Sequence, residues 1–357
     1  MKRIVLTGGG TAGHVTPNLA LLPRLRELGY EVFYIGSHEG IEKKLIADFD
    51  VPYYGVSTGK LRRYLDIKNF SDPFRVVKGY GDARKILKEL KPDIVFSKGG
   101  FVSVPVVRAA ASLKIPCIIH ESDMTPGLAN KLCIPVATKV CCNFPETLQN
   151  LPENKAVLTG SPIRDELLKG DKVAALNMCK FTSTLPVIMV IGGSSGSVAI
   201  NKAVRSALPK LLEDFQIVHI CGNGRVDNLL LNEKRYVQFE YLKSELKDVL
   251  AMADIVISRA GANAICELLA LKKPNLLIPL PAKSSRGDQI LNAASFEAQG
   301  YSLVLDEDDL ADTTLAEKVY ELYCNRKRFV DAMSQSSQLN AVDKIIGLIE
   351  DTVINRP

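Results

Sequence analysis

Ile4-Val5-Leu6-Thr7-Gly8-Gly9-Gly10-Thr11-Ala12-Gly13-His14 begins with a short apolar run and passes directly into a glycine-rich turn. The apolar run predicts a buried strand. Glycine lets backbone N–H groups approach an anion without a Cβ clash, and a helix after the turn would add unpaired N–H groups and a positive dipole end. The stretch therefore predicts the strand, turn and helix that open an α/β nucleotide-binding domain.

The same pattern occurs a second time in the chain. Val187-Ile188-Met189-Val190-Ile191-Gly192-Gly193-Ser194-Ser195-Gly196-Ser197 repeats the strand and the glycine turn. Asp93-Ile94-Val95-Phe96-Ser97-Lys98-Gly99-Gly100 is matched in the same way by Asp254-Ile255-Val256-Ile257-Ser258-Arg259-Ala260-Gly261. Further apolar runs alternate with helical patterns: 31–36, 117–120, 217–221 and 275–279. Continuous apolar strands alternating with helices indicate parallel sheets covered on both faces, here in two α/β domains of one topology.

Length and composition agree with two soluble domains. The 357 residues are too many for one ordinary core, and 46% are hydrophobic and 24% charged. The boundary is expected near Gly160-Ser161-Pro162, which gives domains 1–160 and 161–334. The helical pattern from Ser334 to Ile354 is expected to bring 335–357 back onto the first domain.

Several classes of protein are disfavoured. A dehydrogenase needs an acidic residue at the end of its second strand, but that strand ends Tyr34-Ile35-Gly36-Ser37. The net charge of +5 does not suggest nucleic acid. The eight cysteines form no CxxC pair, which indicates a reducing compartment. With no signal peptide and no apolar run of membrane-spanning length, we expect a cytoplasmic protein whose membrane contact is peripheral.

Polar residues after the strands of the second half form a candidate donor site. Arg259 to Glu267 follows a buried strand and opens a helix, so the Glu267 carboxylate could accept bonds from ribose hydroxyls or simply complement the helix dipole. Asp288 and Gln289 would suit sugar hydroxyls, although Asp288 is also a normal N-cap. Arg164 could contact a phosphate, or lie exposed in the linker.

No metal site or metal cofactor is expected. Asp306-Glu307-Asp308-Asp309 contains Asp-x-Asp, but its position after an apolar run predicts an exposed acidic loop. The four histidines show no chelating spacing. The segment 60–78 mixes basic and apolar residues, and it is either an interfacial membrane patch or an ordinary amphipathic helix.

Together these residues resemble the MurG family, the UDP-N-acetylglucosamine–lipid-I N-acetylglucosaminyltransferases of bacterial cell-wall synthesis. The resemblance runs along nearly the whole chain. The matching segments are 9–15, 98–103, 120–123, 160–164, 192–196, 258–262 and 288–289. The resemblance implies a GT-B fold, in which two Rossmann-like domains face each other across a cleft. It also implies metal-independent, inverting transfer of N-acetylglucosamine to an undecaprenyl-linked lipid.

The resemblance also implies which residues bind the donor. These are Thr11, Ala12, Gly13, Arg164, Ser194, Leu242 (through its backbone to uracil), Ala262, Asn263, Ala264, Glu267 and Gln289, with Asp288 beside them. Asp123 falls where many members carry Asn, which alters the hydrogen-bond pattern, and Phe101 falls where many carry Tyr. His14 is a candidate general base, or alternatively a cap or phosphate contact. Glu121 is the rival base.

Two alternative functions share this two-domain plan. One is a glycosyltransferase with another lipid or natural-product acceptor. The other is a UDP-GlcNAc 2-epimerase, which would require neither an acceptor nor a membrane patch.

Overall fold

The computed structural model describes residues 2–59, 72–193, 195–284 and 287–355. The chain divides into two compact units, and each is described by itself. Unit 1 comprises Met1–Arg164 together with Gln338–Pro357, and unit 2 comprises Asp165–Ser337. Each unit contains one parallel sheet with helices packed on it, so the predicted α/β class with two Rossmann-like domains is confirmed.

Unit 1 contains a seven-stranded sheet with the order β3-β2-β1-β4-β5-β6-β7, in which every pairing is parallel. Its strands are β1 Lys2–Thr7, β2 Tyr30–Ser37, β3 Tyr53–Val56, β4 Ile94–Ser97, β5 Cys117–Glu121, β6 Lys139–Cys142 and β7 Ala156–Leu158. Its helices are α1 Thr16–Glu27, α2 Ile41–Ile46, α3 Asp72–Leu90, α4 Ser103–Ser112, α5 Leu128–Cys133 and, from the other end of the chain, α13 Ala341–Ile354.

Side chains of β1 alternate between two hydrophobic cores, as expected for a strand covered on both faces. Val5 packs into one core with residues of α3 and α4. Ile4 and Leu6 pack into the other with residues of α1 and with Ile345 and Ile349 of α13. The last helix in the chain therefore completes a core that the first strand begins.

Unit 2 contains a six-stranded parallel sheet with the order β10-β9-β8-β11-β12-β13. Its strands are β8 Val187–Ile191, β9 Gln216–Ile220, β10 Tyr236–Phe239, β11 Ile255–Ser258, β12 Asn275–Leu277 and β13 Ser302–Val304. Its helices are α6 Lys172–Cys179, α7 Val198–Leu211, α8 Leu246–Met252, α9 Ala262–Ala270, α10 Asp288–Ala298, α11 Asp312–Cys324 and α12 Arg326–Ser334.

The repeat seen in the sequence extends to individual hydrogen bonds. In unit 1 the backbone N–H of Arg3 donates to Asp93 Oδ2 over 2.7 Å, and Asp93 N–H donates back to the Arg3 carbonyl over 2.8 Å. In unit 2 Val187 and Asp254 exchange the same two bonds at 2.8 and 2.9 Å. Each aspartate thus holds the start of one strand beside its neighbour in the sheet, β1 beside β4 in unit 1 and β8 beside β11 in unit 2.

The C-terminal helical pattern is shorter than the sequence predicts. Ser334 ends α12, residues 335–340 form turns, and α13 begins only at Ala341. Asn340 has a φ of 59°, a left-handed conformation that an α-helix does not pass through. Gly160 lies against this turn, because a Cβ built on it would be 2.3 Å from the Gln338 carbonyl oxygen. The two stretches of unit 1 that adjoin unit 2 in sequence therefore pack together.

Candidate active site

Both sheets have a point at which the strand order reverses, and ligands of open α/β sheets bind at that point beyond the carboxyl ends of the strands. In unit 1 the reversal lies between β1 and β4, and in unit 2 it lies between β8 and β11. The glycine turns singled out in the sequence follow these strands. Topology alone therefore brings the turns of each unit together in pairs.

In unit 1 the turns after β1 and β4 touch. The Gly9 N–H donates to the Gly99 carbonyl over 3.4 Å. A Cβ built on Gly100 would lie 2.2 Å from the Gly9 carbonyl oxygen and 3.3 Å from His14 Nδ1. Only glycine permits this approach, and Gly100 has the positive φ of 84° that it favours.

The buried carboxylate of Glu42 stabilises the glycine turn after β1. Glu42 of α2 is 0% exposed, and it accepts hydrogen bonds from Ser37 N–H at 2.9 Å, from the Ser37 hydroxyl at 2.5 Å and from Gly10 N–H at 3.1 Å. Burial alone would raise the pKa of Glu42, but the bonds from Ser37 and Gly10 outweigh it and lower the pKa below its usual value. Sequence reasoning missed Glu42. The only feature of Glu42 visible in the sequence is its position in a short helix after β2.

His14 closes the same turn, at the end of a short 3-10 helix formed by Ala12–His14. Its Nδ1 lies 3.2 Å from the Gly9 carbonyl oxygen and 3.1 Å from Thr11 Oγ1. A carbonyl can only accept, so Nδ1 carries the proton in this arrangement and Nε2 keeps its lone pair. Burial and then the charge of Lys98 lower the pKa of His14 to about 4. The ring is thus neutral near pH 7, with Nε2 as its basic atom.

The rival base, Glu121, is already engaged. It is 5% exposed at the end of β5, and both its oxygens accept hydrogen bonds: Oε1 from Asp123 N–H at 3.0 Å, and Oε2 from Gly127 N–H at 2.9 Å and the Asn130 amide at 2.8 Å. Burial raises the pKa of Glu121, and these bonds oppose the rise. The carboxylate holds the loop 122–127, which includes the predicted site residue Asp123.

Lys98 and His120 form a buried pair next to these residues. Lys98 is 1% exposed, and its Nζ donates to His120 Nδ1 over 2.8 Å and to Ser122 Oγ over 2.5 Å. His120 Nε2 donates in turn to the Gly160 carbonyl over 2.9 Å. Burial, followed by the Lys98 charge, lowers the pKa of His120 well below its usual value. The sequence identified the 98–103 and 120–123 segments but assigned neither residue a role.

In unit 2 the glycine turn, the start of α7, the loop between β12 and α10 and the segment after β13 border a cavity of about 530 Å³. It is lined by Gly192, Gly196, Ser197, Val198, Ala199, Lys202, Arg259, Leu280, Gln289 and Glu307. Gln289 Oε1 accepts a hydrogen bond from Leu280 N–H at 3.0 Å, which orients the side-chain amide. Arg259, in the position that Lys98 has in unit 1, lies at the wall of this cavity.

The other predicted donor residues of unit 2 lie around the same edge of the sheet. Ala262, Asn263, Ala264 and Glu267 form the first turns of α9, Asp288 begins α10, and Leu242 is buried in the loop after β10. Of the predicted residues assigned to unit 1, Thr11 and Ala12 are exposed, Gly13 is half-buried, and Arg164 is the last residue before unit 2. The predicted contact Ser194 lies outside the described residues.

The acidic segment after β13 differs from the expectation. Asp306, Asp308 and Asp309 are exposed, as predicted, but the Glu307 side chain is only 20% exposed and forms an ion pair with Arg259. The prediction of an exposed acidic loop is therefore wrong for Glu307, because the guanidinium of Arg259 draws that side chain inward. Over the described ranges, no group of three or more His, Cys, Asp or Glu residues is placed to hold a metal ion.

Comparison with known proteins gives consistent matches along the chain. Residues 4–142 match the family described as glycosyltransferase family 28 N-terminal domain, and residues 187–349 match glycosyltransferase family 28 C-terminal domain. A protein of Lachnospira eligens is 64% identical over 351 residues, which cover 98% of this chain and 99% of that protein. A protein of Clostridium novyi is 59% identical over 349 residues, covering 98% of each.

Both relatives carry the name UDP-N-acetylglucosamine–N-acetylmuramyl-(pentapeptide) pyrophosphoryl-undecaprenol N-acetylglucosamine transferase. Among solved structures, Acinetobacter baumannii MurG superposes with a TM-score of 0.78 at 26% identity, covering 98% of this chain and 100% of that one. A putative UDP-N-acetylglucosamine 2-epimerase from Listeria monocytogenes superposes with a TM-score of 0.72 at 13% identity, covering 100% of this chain and 98% of that one. At that identity the likeness concerns the fold alone.

Proposed function

This chain belongs to glycosyltransferase family 28, and we propose that it transfers N-acetylglucosamine from UDP-GlcNAc to undecaprenyl-pyrophosphoryl-MurNAc-pentapeptide, forming lipid II. The enzyme is a hexosyltransferase of peptidoglycan synthesis, a pathway on which cell-wall growth, cell shape and division depend. Its GT-B fold, expected from the sequence, is shared with the MurG structure.

The observation that carries this function is the 64% identity to a named N-acetylglucosaminyltransferase over nearly the full length of both chains. The epimerase alternative has no comparable support, because its structural neighbour shares only 13% identity. The geometry is compatible with transfer, since one unit contains a candidate base and the other a cavity lined by a glycine turn and polar side chains.

For the donor, we assign the sugar to the cavity in unit 2. Gln289 presents its amide there, and the N–H groups at the start of α9 lie at the same sheet edge. Glu267, on the second turn of α9, would accept hydrogen bonds from ribose hydroxyls, and the Leu242 backbone would contact uracil. Asn263, Asp288 and Ser194 complete the proposed donor set.

For the acceptor, we assign proton removal to His14. Its Nε2 would take the proton of the attacking sugar hydroxyl, while that oxygen forms the new bond to C1 of N-acetylglucosamine on the face opposite the departing diphosphate. The Gly9 carbonyl fixes the tautomer in which Nε2 is the acceptor. Glu121 then acts through the loop that carries Asp123, instead of touching a reacting atom.

The departing group is UDP, which carries away the electron pair of the broken C1–O bond. Amide N–H groups of the glycine turn after β8 are suited to the charge that develops on its β-phosphate. Arg164 would add a guanidinium to that phosphate, as its place in the family motif suggests. No metal ion enters this scheme.

The direct test supplies the purified protein with radiolabelled UDP-GlcNAc and the undecaprenyl-linked acceptor. Label should appear in lipid only when both substrates are present. Incubation with UDP-GlcNAc alone is the matched control, and formation of UDP-ManNAc in it would identify an epimerase instead. Transfer to an unrelated lipid acceptor, with none to the muramyl-pentapeptide lipid, would overturn the proposed substrate.

We also propose that the enzyme works in the cytoplasm, bound peripherally to the inner face of the membrane. Residues 60–71 of the basic and apolar segment 60–78 lie outside the described residues. Its remainder belongs to α3, where Val77 is 71% exposed between the exposed Arg75 and Lys78. In the described part of the chain no helix is long and apolar enough to cross a membrane.

The membrane contact is testable by sedimentation with vesicles. Binding to vesicles that contain anionic lipid should exceed binding to neutral vesicles and should weaken as salt increases. Val77→Ser should reduce it, whereas Val173→Ser, a substitution at a similarly exposed valine of unit 2, should not. Equal binding of both variants and the wild type would place the contact elsewhere.

A further inference from the structure

The ion pair between Arg259 and Glu307 adds a residue to the cavity of unit 2 that the family motifs do not include. Arg259 NH1 donates to the carbonyls of Ile278 at 3.1 Å and Pro279 at 3.2 Å. Its NH2 donates to Ser197 Oγ at 2.7 Å and to Glu307 Oε2. The guanidinium therefore joins the turn after β8, the end of β12 and the loop after β13. These four hydrogen bonds fix the guanidinium in the wall of the cavity.

Glu307 is held by this guanidinium through one oxygen only. Oε2 accepts from Arg259, whereas Oε1 makes no hydrogen bond to any part of the chain that the structure describes. The side chain lines the cavity at 20% exposure. A half-buried carboxylate oxygen without a protein partner is a strong acceptor for a ligand hydroxyl.

Gln289 provides the complementary group in the same cavity. Its Oε1 is occupied by Leu280 N–H, so the Nε2 hydrogens are the ones left to donate. A sugar hydroxyl both donates and accepts, so an amide donor and a carboxylate acceptor in one cavity together match hydroxyls of a hexose. Glu307 supplies the half of this pair that Gln289 does not.

The next residue in the chain shows what an ordinary acidic side chain does in this segment. Asp308 Oδ1 pairs with Lys283 Nζ at 2.9 Å, but both side chains are largely exposed, at 76% and 70%. An exposed pair of this kind contributes little to stability. Asp308 is not among the residues that line the cavity. Neighbouring residues of one segment thus offer a cavity carboxylate and a surface carboxylate.

We propose that Glu307 binds the donor sugar directly, accepting a hydrogen bond from a hydroxyl of N-acetylglucosamine through Oε1 while Arg259 holds Oε2. This role rests on the proposed function, which places the sugar in this cavity. It makes Glu307 a determinant of the sugar and not of the nucleotide, which distinguishes it from a residue that only shapes the loops.

The test compares affinities for UDP-GlcNAc and for UDP by calorimetry. In Glu307→Gln, Arg259 favours the conformer that turns the amide oxygen toward it, so an NH2 group replaces the acceptor that faces the sugar. Affinity for UDP-GlcNAc should fall about tenfold, while affinity for UDP stays within about twofold of the wild type. Asp308→Asn should change neither. Equal losses for both ligands, or no loss for either, would overturn the proposal.

A second measurement begins with the wild-type enzyme, so its first outcome does not depend on how well the variant folds. Analogues of UDP-GlcNAc that each lack one sugar hydroxyl are bound to the wild-type enzyme, and one of them should lose about tenfold in affinity. In Glu307→Gln the same analogue and UDP-GlcNAc should bind alike. If no analogue binds the wild type more weakly, or if the loss persists undiminished in the variant, Glu307 makes no such bond. Transfer by the wild type, measured separately, tells whether the proposed function itself holds.

Discussion

The points at which the strand order reverses have the same topology in both units, but different side chains contact their glycine turns. In unit 1 the carboxylate of Glu42 takes the Gly10 N–H, and His14 stands at the rim of the turn. In unit 2 the turn borders a cavity of about 530 Å³ whose wall is held by Arg259 and Glu307. The same topology thus carries the candidate base in unit 1 and the proposed donor cavity in unit 2.

The difference shows that topology locates a site while a few side chains decide its chemistry. Lys98 and Arg259 occupy equivalent positions after the fourth strand of each unit, and both are buried. The Lys98 ammonium donates to a neutral histidine and a serine, and its charge helps to keep His14 neutral. The Arg259 guanidinium instead binds a carboxylate and ties three loops together.

The largest effect is expected from removing the candidate base in unit 1. His14→Ala should reduce turnover at least a hundredfold, within the roughly 10²–10⁴-fold that general-base catalysis supplies. Donor affinity should stay close to that of the wild type, because we propose that the donor sugar occupies the cavity of unit 2 and that His14 contacts the acceptor. Steady-state kinetics and calorimetry with UDP-GlcNAc measure the two quantities separately.

The control for this variant is His38→Ala, since His38 is exposed at the same end of the unit 1 sheet. It should leave turnover unchanged. Near-normal turnover of His14→Ala would remove His14 as the base and with it the division of labour between the two switch points.

The second effect concerns the close packing of the turns. Gly100→Ala would place a Cβ 2.2 Å from the Gly9 carbonyl oxygen at a φ of 84°. Overpacking costs about 1–3 kcal/mol and the left-handed conformation roughly 1–2 kcal/mol, so we expect a loss of about 3 kcal/mol. Gly10 has a φ of 85° and open space around it. Gly10→Ala should therefore lose only the roughly 1–2 kcal/mol that the left-handed conformation costs.

Unit 2 contains the same matched pair, which sharpens the comparison. Gly196 has a φ of 68° and would place a Cβ 1.9 Å from the Cys221 carbonyl oxygen, whereas Gly193 has a φ of 91° and open space. Thermal unfolding of the four alanine variants should give the same ordering in both units. Equal losses within either pair would mean that backbone conformation, and not the contact, requires glycine there.

A third, smaller effect is expected in the proposed donor site of unit 2. Glu267→Ala or Gln289→Ala should weaken UDP-GlcNAc binding by about 1–3 kcal/mol, the cost of leaving polar groups without partners. Glu297→Ala, an exposed position on α10, is the control and should bind normally. Calorimetric affinities that match the wild type would place the donor elsewhere.

The last effect concerns neither catalysis nor ligand binding, and it is a dependence of stability on pH. Burial, followed by nearby cations, lowers the pKa of His14 to about 4 and that of His219 to about 3, and it lowers the pKa of His120 as well. Below the unfolded value of about 6.5 the unfolded chain binds protons that the folded chain excludes, so stability is lost as pH falls.

Unit 1 contains two of these three histidines. Between about pH 7 and pH 5, amide hydrogen exchange in β4 and β5 should therefore accelerate more than exchange in β8 and β9, after correction for the intrinsic rate. Equal acceleration in both units would show that the buried histidines do not set the acid sensitivity of unit 1.

The repeat, the parallel sheets and the glycine turns were predictable because they depend on local patterns. Apolar runs such as 187–191 give buried strands, and Gly100 and Gly196 mark turns where no side chain fits. Gln289, a residue of the family motif, lines the cavity of unit 2, and its contact with the donor stays a prediction.

Contacts between residues distant in sequence were not predictable. No motif around Glu42 indicates that its carboxylate supports a turn more than thirty residues earlier in the chain. Glu307 stands among three acidic neighbours, and only the placement of Arg259 separates it from them. The prediction of a continuous helix from Ser334 was wrong for a local reason. Asn340 adopts a left-handed conformation, which the apolar periodicity of the sequence does not reveal.

The position of α13 has a consequence for the order in which the protein matures on the ribosome. Because α13 supplies Ile345 and Ile349 to the core around Ile4 and Leu6, the half of the molecule translated first cannot finish its core until the other half has been synthesised. Unit 2 has all its strands available earlier and can fold as the chain emerges. Until α13 has been synthesised, the apolar surface of unit 1 that Ile345 and Ile349 cover stays exposed to solvent.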